Sequence, residues 1–331
     1  MQAARVRPQN RVVTVLGGLG FLGSHLSRAL LLEGFKVRVF SKLYGSYELV
    51  SDIRSELDVF EADIMQPREV LDVIGDSEIV IDLVHTTRPG SSMRDPVYDV
   101  TSNVVSHVQW LQHLGGTSVK RIIFVSSGGT VYGTPAYSPI DEDHPTDPIC
   151  AYGITKLMLE KYIAMYAELA GVDFTIVRPA NAYGPGNRLN VGQGVIGVLA
   201  DRALRGETLE VWGSGEFRRD YLYVDDLISA VIGLMSYDGP HRIFNISSGQ
   251  ATSVLDIIEI LRDIIGNLPP VIHLPSRRFD VPLNVLTSAR LTTATGWRPE
   301  VDLKLGVTRL VRWLEETRSR DSDSGVAVPS H

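Results

Sequence analysis

The chain has 331 residues, enough for two domains or for one large α/β unit with an appended lobe. Its 32 Lys and Arg against 39 Asp and Glu give a net charge of −7, which argues against nucleic acid or an anionic membrane as a partner, so an anionic ligand has to be held locally. The single cysteine, Cys150, excludes an intrachain disulfide and a Cys-based zinc site; no metal site is predicted, and a reducing compartment, the cytoplasm by default, is expected. No charge-free apolar stretch approaches the roughly 20 residues that cross a bilayer, so no membrane span is predicted.

Short β-branched segments alternate with helical patterns from residue 11 to about 181, which is typical of repeated βα units with a parallel sheet. Helices are predicted over 21–33, ending at Gly34, and over 152–170, ending at Gly171. The predicted strands are 12–16, 36–40, 78–83, 121–126 and 174–178.

After Pro179 the pattern becomes irregular, and a Gly/Pro/Asn-rich stretch at 181–194 predicts the start of a smaller lobe. A helix at 195–205 and a strand at 209–212 follow, and a helix at 226–235, capped by Asp225 or Asp226, and a strand at 243–246 return to the first domain. Helices at 253–267 and 302–316 are assigned to the second lobe. The expected domains are 1–181 with about 221–247, and about 182–220 with 248–316. Residues 317–331 offer little to bury and are predicted as a disordered tail.

A glycine-rich turn joins the first predicted strand to the first predicted helix. Its pattern Gly-x-x-Gly-x-x-Gly stands where a dinucleotide site requires it, because glycines let a pyrophosphate approach the backbone at the positive end of a helix. The residues expected to hold the cofactor there are Gly17, Gly20, Phe21, Leu22 and Gly23.

The residues at the end of the second predicted strand are compatible with either NAD or NADP. An acid about 20 residues after the turn commonly binds the adenosine ribose, but the chain has Ser41 followed by Lys42. A neutral Ser41 beside a cation is compatible with the 2′-phosphate of NADP, although an exposed lysine at a strand end explains Lys42 equally well. NAD is favoured, because a hydroxyl or backbone group can also hold a ribose diol.

Tyr152 and Lys156 are spaced to lie one turn apart on one face of a helix. A tyrosine of pKa about 10 serves as a base at neutral pH only when nearby positive charge stabilises the phenolate. Lys156 and an oxidised nicotinamide ring can supply that charge. Together with the glycine turn, the pair predicts a hydride-transfer site.

Several segments, in this order, resemble the extended short-chain dehydrogenases/reductases, and specifically the nucleotide-sugar epimerase/dehydratase family of the UDP-glucose 4-epimerase type. They span residues 12 to about 316 and are VLGGLGFLGSHL (15–26), EADI (61–64), RIIFVSSGGTVYG (121–133), YGITK (152–156), VRPANAYGPG (177–186), GSGEFRRDYLYVDDL (213–227), FNISSG (244–249) and RRFDVP (277–282). The resemblance implies a Rossmann-type doubly wound parallel sheet that binds NAD(P), with a smaller C-terminal α/β lobe for a nucleoside-diphosphate sugar.

The resemblance also implies residue roles. Tyr152 is the expected catalytic base, and Lys156 holds the ribose and tunes it. Asp63 and Ile64 are expected along the adenine, and Pro179 beside the cofactor. The expected substrate residues are Asn181, Val195, Trp212 stacking on the nucleotide base, and Arg219 and Arg278 clamping the diphosphate; a core position is an equally good explanation of Trp212.

One segment departs from the family pattern. Aligned through Val131-Tyr132-Gly133, Gly128 occupies the position where family members carry a catalytic Ser or Thr. The bridging hydroxyl must then come from Ser127 or Thr130, or Tyr152 works directly. Family dehydratases have Thr-Asp-Glu here, and the absence of a carboxylate from residues 128–130 disfavours dehydration.

The sequence hypothesis is a 4-epimerase of a nucleotide sugar, with a UDP-hexose expected, in which tightly bound NAD oxidises C4 transiently and returns the hydride to the opposite face. The alternatives are an NADPH-dependent reductase of a nucleotide keto-sugar and, more remotely, a non-enzymatic dinucleotide-sensing protein. No catalytic role is assigned to Cys150 or to His85, which is expected to be solvated. By resemblance, helices near 103–113 and 152–170 are expected to build a homodimer.

Overall fold

The computed structural model describes residues 11–42, 46–187, 194–275 and 281–323. The strands are β1 (Val12–Leu16), β2 (Lys36–Ser41), β3 (Asp58–Glu61), β4 (Ile79–Asp82), β5 (Arg121–Val125), β6 (Asp173–Pro179), β7 (Asn181–Tyr183), β8 (Leu209–Trp212), β9 (Arg218–Arg219), β10 (Tyr221–Tyr223), β11 (Ile243–Ile246), β12 (Thr252–Ser253), β13 (Val271–Leu274) and β14 (Leu283–Asn284).

The helices include one π-helical stretch, Val100–Val105, and short 3₁₀ turns at Glu48–Val50, Arg54–Glu56 and Leu114–Gly116. The α-helices are α1 (Phe21–Leu32), α2 (Pro67–Ile74), α3 (Pro89–Arg94), α4 (Pro96–Asp99), α5 (Ser106–Leu111), α6 (Ala151–Ala170), α7 (Val195–Arg205), α8 (Val224–Leu234), α9 (Val254–Ile265), α10 (Ala289–Thr295) and α11 (Leu303–Asp323). Within the described ranges, no helix combines the length and the apolar character that a membrane crossing requires.

A seven-stranded sheet with the order β11-β6-β5-β4-β1-β2-β3 forms the centre of the molecule, and every neighbouring pair in it is parallel. The chain runs outward from β1 through β2 to β3 and then crosses to β4 on the other side of β1. The strand order therefore reverses between β1 and β4, and a crevice forms there beyond the carboxyl ends of the strands, where ligands bind in such sheets. The predicted Rossmann-type fold is confirmed.

Hydrophobic residues cover both faces of this sheet, as expected for buried parallel strands. Alternate residues of β5 belong to opposite cores, with Ile123 in one and Ile122 in the other. The first core joins the sheet to α1 and α8, and the second joins it to α2, α5 and α6. Helix α6 is thus fixed along the sheet, with its N-terminus at the carboxyl edge of β5.

The other strands of the described residues all follow residue 180 and form three small sheets: β10 with β7, β9 between β12 and β14, and β13 with β8. They contain three of the predicted substrate residues, Asn181, Trp212 and Arg219. Strand β11 returns to the large sheet and pairs with β6.

The structure departs from the sequence predictions at several places, of which three concern the tail, an edge strand and a helix cap. Helix α11 continues to Asp323, so the predicted start of a disordered tail at residue 317 is wrong; Thr317 bonds the Trp313 carbonyl oxygen and Arg318 reaches Asp201 of α7. Strand β3 was not predicted, because it is a largely exposed edge strand without apolar alternation. Neither Asp225 nor Asp226 caps α8, because the helix begins at Val224 and both lie in its first turn; Asp226 accepts hydrogen bonds from the backbone of Glu300 and Val301 instead.

Candidate active site

The glycine turn between β1 and α1 is tightly folded. Gly17 has a φ of +86°, which favours glycine, and its N–H donates to the Phe40 carbonyl oxygen at 2.8 Å. A Cβ on Gly23 would lie 2.3 Å from the Gly17 oxygen, so only a hydrogen fits where the helix meets the turn. The N-cap residue, Gly20, offers no side chain to the first-turn N–H groups of α1. Those donors, beginning at Phe21, suit the pyrophosphate of a dinucleotide.

The carboxyl ends of β2 and β3 carry the other predicted cofactor residues. Ser41 is buried at the end of β2, whereas Lys42 is exposed. After β3, Ile64 is buried and Asp63 is exposed, with its Oδ1 accepting the Met65 N–H at 3.0 Å. These residues lie on the β2–β3 side of the glycine turn, and their predicted contacts with the adenosine half remain predictions.

Tyr152 and Lys156 lie one turn apart at the start of α6. Lys156 is only 2% exposed; its ammonium donates to the Val125 carbonyl oxygen at 2.8 Å and lies 4.7 Å from the centre of the Phe124 ring. Burial lowers the pKa of Lys156 to about 8, opposed by three nearby carboxylates. Burial raises the pKa of Tyr152, and Cys150 and Asp99 add to that effect. Tyr152 therefore needs added positive charge before it can act as a base.

The segment after β5 explains why residue 128 is glycine. A Cβ there would lie 2.3 Å from Leu286 Cδ1 and 3.0 Å from the Arg178 carbonyl oxygen. Ser127 is partly exposed, and its hydroxyl has no hydrogen-bond partner within the described ranges. The Thr130 hydroxyl is buried and also lacks a partner among these residues. Of the two residues that could supply the bridging hydroxyl, Ser127 is partly exposed, whereas the Thr130 hydroxyl is buried.

A buried ion pair holds α6 against the sheet. Arg178 of β6 and Glu160 of α6 pair at 2.6 Å, and Ser126 donates to the same carboxylate at 2.5 Å. Breaking a buried pair of this kind by removing one partner costs about 3–5 kcal/mol. The pair thus fixes the helix that carries Tyr152 and Lys156 relative to the strand ends.

The predicted substrate residues begin where β6 ends. Pro179 is buried and accepts the Gly128 N–H at 2.9 Å, and a Cβ on Gly129 would lie 3.8 Å from Asn181 Oδ1, so the loop after β5 and the start of β7 are in contact. Asn181 and Val195 line one cavity of about 190 Å³.

The remaining predicted substrate residues lie farther along the chain. Trp212 is 41% exposed at the end of β8, so a core position for it is wrong. Arg219 is half-buried and donates to the Val281 carbonyl oxygen at 2.6 Å. Arg278 lies outside the described residues.

Asp220 and His85 are two buried groups to which the sequence predictions gave no role, and the expectation that His85 is solvated is wrong. Asp220 accepts hydrogen bonds from Ser248 and Gly249, its backbone oxygen binds the Asn181 amide at 2.8 Å, and burial raises the pKa of its carboxyl to about 6. His85, which no motif singled out, packs its ring against Tyr152 with 4.5 Å between the ring centres. Both act through contacts between residues distant in sequence, which a single sequence does not reveal.

Comparison with known proteins agrees with this geometry. Residues 13–247 match the model of the NAD dependent epimerase/dehydratase family. The UDP-glucose 4-epimerase of Mycolicibacterium smegmatis is 30% identical over 306 residues, which cover 91% of this chain and 97% of that one.

Two solved structures are similar over most of their length. The UDP-glucose 4-epimerase of Thermotoga maritima, solved with UDP-glucose, is 31% identical with a TM-score of 0.87, covering 93% of this chain and 99% of that one. The UDP-glucose 4-epimerase of Thermus thermophilus, solved with NAD, is 27% identical with a TM-score of 0.84, covering 92% and 99%. The resemblance and the prediction of NAD are confirmed, and the chain belongs to the NAD dependent epimerase/dehydratase family.

Proposed function

We propose that this protein is a nucleotide-sugar 4-epimerase acting on a UDP-hexose. The observation that carries the proposal is the Tyr152–Lys156 pair at the start of α6, at the carboxyl edge of a sheet whose first turn fits a dinucleotide. The relatives that are UDP-glucose 4-epimerases support UDP as the nucleotide and C4 as the reacting carbon. The absence of a carboxylate from residues 128–130 disfavours a dehydratase.

In this proposal the chain handles a single proton. Tyr152, as phenolate, takes the proton of the C4 hydroxyl and later returns it to the same oxygen. Ser127 bridges that oxygen and Tyr152, and Lys156 stabilises the phenolate by its charge. NAD, when bound, supplies the reversible oxidation at C4. Between the two proton transfers the keto sugar has to rotate so that its other face meets the cofactor. The part of the substrate that anchors it to the protein must therefore lie outside the sugar ring.

The diphosphate is the proposed attachment. Arg219 and Arg278 are proposed to clamp it, which neutralises a dianion locally on a chain of net charge −7. Asn181 and Val195 are proposed to line the sugar-diphosphate subsite and Trp212 to stack on the base. Residues of about 182–220 and 248–316 then form the nucleotide-sugar lobe.

The test is incubation of the purified protein with UDP-glucose, UDP-galactose and their N-acetyl forms without added cofactor, after identification of any co-purified dinucleotide by mass. Conversion at C4 without net cofactor consumption is the expected result. Stoichiometric NADPH consumption with a 4-keto sugar and no epimerisation would replace the proposal with the reductase, for which exposed Lys42 would be the 2′-phosphate ligand.

We expect Ser127→Ala to lower kcat about 10- to 100-fold, because the hydroxyl that carries the proton is lost while the backbone is kept. Thr130→Val is the matched control: the Thr130 hydroxyl is buried and has no partner in the described part of the chain, and kcat of this variant should stay within about threefold of wild type. Initial rates with the converted sugar measure both. A larger loss in Thr130→Val than in Ser127→Ala would assign the bridging hydroxyl to Thr130.

A homodimer through α6 is the proposed assembly. Large apolar side chains are exposed along one side of α6 and on the neighbouring segment of α4 and the π-helical stretch, and they are Ile154, Met165, Leu169, Val97, Tyr98 and Val105. Ile154, Met165 and Leu169 recur at helical spacing and so form one stripe. Contiguous exposed apolar surface of this kind is typical of a protein interface.

We expect the Leu169→Glu variant to be monomeric at concentrations where the wild type is dimeric, because a two-fold interface would then bury two carboxylates, one from each protomer, without ion-pair partners. Sedimentation velocity measures the oligomeric state of each variant. Leu32→Glu, an equally apolar exposed residue on α1, is the control and should leave the dimer intact. A wild type that sediments as a monomer would contradict the proposed assembly.

A further inference from the structure

His85 is buried against the proposed catalytic base. It follows β4 at the carboxyl edge of the sheet, and its ring meets that of Tyr152 at 72° with 4.5 Å between the ring centres. The side chain is 6% exposed, and neither ring nitrogen has a hydrogen-bond partner in the described part of the chain. Buried polar groups without partners are uncommon, and each calls for an explanation.

The other side of the imidazole faces a buried carboxylate. His85 Nε2 lies 3.5 Å from Asp99 Oδ1. Asp99 also accepts the Thr155 hydroxyl at 3.0 Å, the Asn103 amide at 3.1 Å and the Thr87 hydroxyl. Since Thr155 lies on α6 between Tyr152 and Lys156, one carboxylate ties the catalytic helix to the loop that carries His85.

Burial keeps this imidazole neutral. Burial lowers the pKa of His85 to about 4; Lys156 and His107 act in the same direction, and Asp99 opposes them. At neutral pH the ring therefore adds no charge beside the phenol. Because both nitrogens are buried from solvent, they are not open to a sugar that enters from the crevice, which argues against a role as a substrate ligand.

We propose that His85 is a positioning residue for Tyr152: the imidazole, buried beside Asp99, packs against the phenol ring and fixes it at the angle and depth from which it takes the C4 proton. The inference rests on the proposed function. Edge-to-face ring contacts are directional, so the imidazole restricts both tilt and rotation of the phenol. Loss of that restriction acts on kcat, because a misplacement of about 1 Å at a reacting group costs up to about 100-fold.

The variants are His85→Ala, His85→Phe and, as the matched control, His113→Ala, which removes an exposed histidine. We expect His85→Ala to lower kcat about 10- to 100-fold with KM close to wild type. The acid limb of its pH profile should move to lower pH, because water that replaces the ring solvates the phenolate. His85→Phe, which keeps an aromatic ring, should recover most of kcat. Thermal melting shows that each variant is folded.

A second measurement does not depend on turnover. In protein labelled with 3-fluorotyrosine, the Tyr152 resonance is assigned by its loss in Tyr152→Phe, and its ¹⁹F shift is compared among the variants at pH 7. We expect a shifted resonance in His85→Ala, because the imidazole no longer lies against the phenol ring, and none in His113→Ala. If the wild type converts no nucleotide sugar, the proposed function fails, and this spectrum still reports the contact.

Two results would overturn the positioning role. One is a His85→Ala variant with wild-type kcat, pH profile and Tyr152 resonance. The other is a His85→Phe variant as impaired as His85→Ala, because the ring contact would then not be what matters.

Discussion

Tyr152→Phe is expected to lower kcat by about 10²- to 10⁴-fold, the range over which a positioned acid-base group contributes. The change removes the hydroxyl and keeps the ring that packs against His85, so the local structure is preserved. Cofactor binding should stay within about twofold, because the glycine turn and Lys156 hold the dinucleotide in the proposed arrangement. The loss is therefore expected in turnover alone.

Initial rates with the converted UDP-sugar, together with the amount of dinucleotide bound per chain, measure this outcome. Tyr166→Phe is the matched control, because Tyr166 lies on the same helix and stacks on Tyr162, away from the site. A Tyr152→Phe enzyme that keeps kcat within tenfold of wild type would remove Tyr152 from the role of base, whatever the sugar.

Lys156→Met is expected to lower kcat/KM about 10²- to 10³-fold at pH 7, since the charge that stabilises the phenolate is lost and one pKa unit corresponds to about 1.4 kcal/mol. The wild type should show a related pH effect. Below its pKa of about 8 Lys156 is charged and supports the phenolate, and this support is lost as the pH rises through that value. We therefore expect kcat/KM of the wild type to fall above pH about 8.

The profile of kcat/KM against pH tests both statements, because it reports groups of the free enzyme. The Lys156→Met profile should lack the decline that begins near pH 8. Lys161→Met, at an exposed position of the same helix, should keep the wild-type profile. A wild-type kcat/KM that is constant from pH 7 to 10 would contradict the assigned role of Lys156.

Local patterns made the fold and part of the site predictable. The run of glycines at 17–23 and the pair on α6 depend on spacing within a few residues, and strands such as β1 have a continuous apolar pattern. The predictions that failed concern segments whose structure depends on tertiary contacts. Arg318 near the end of α11 lies 4.0 Å from Asp201 of α7, and β3 pairs with β2; neither contact can be read from the residues of the segment itself. His85 became a candidate only when the fold placed it on Tyr152.

Gly128 lies in a space too small for a side chain, which limits the substitutions that this position accepts. Its missing side chain is the space that Leu286 Cδ1 fills, while the carbonyl oxygens of Arg178 and Pro179 close the other sides at 3.0 and 3.1 Å. A serine introduced there alone would meet Leu286 before it met a substrate. Residues 128 and 286 are therefore coupled. A smaller residue at 286 has to be introduced before a serine at 128, because a variant with the serine alone would be destabilised by the contact with Leu286. Leu286, which lies more than 150 residues after Gly128 in the chain, thus constrains which residue can supply the proton-carrying hydroxyl.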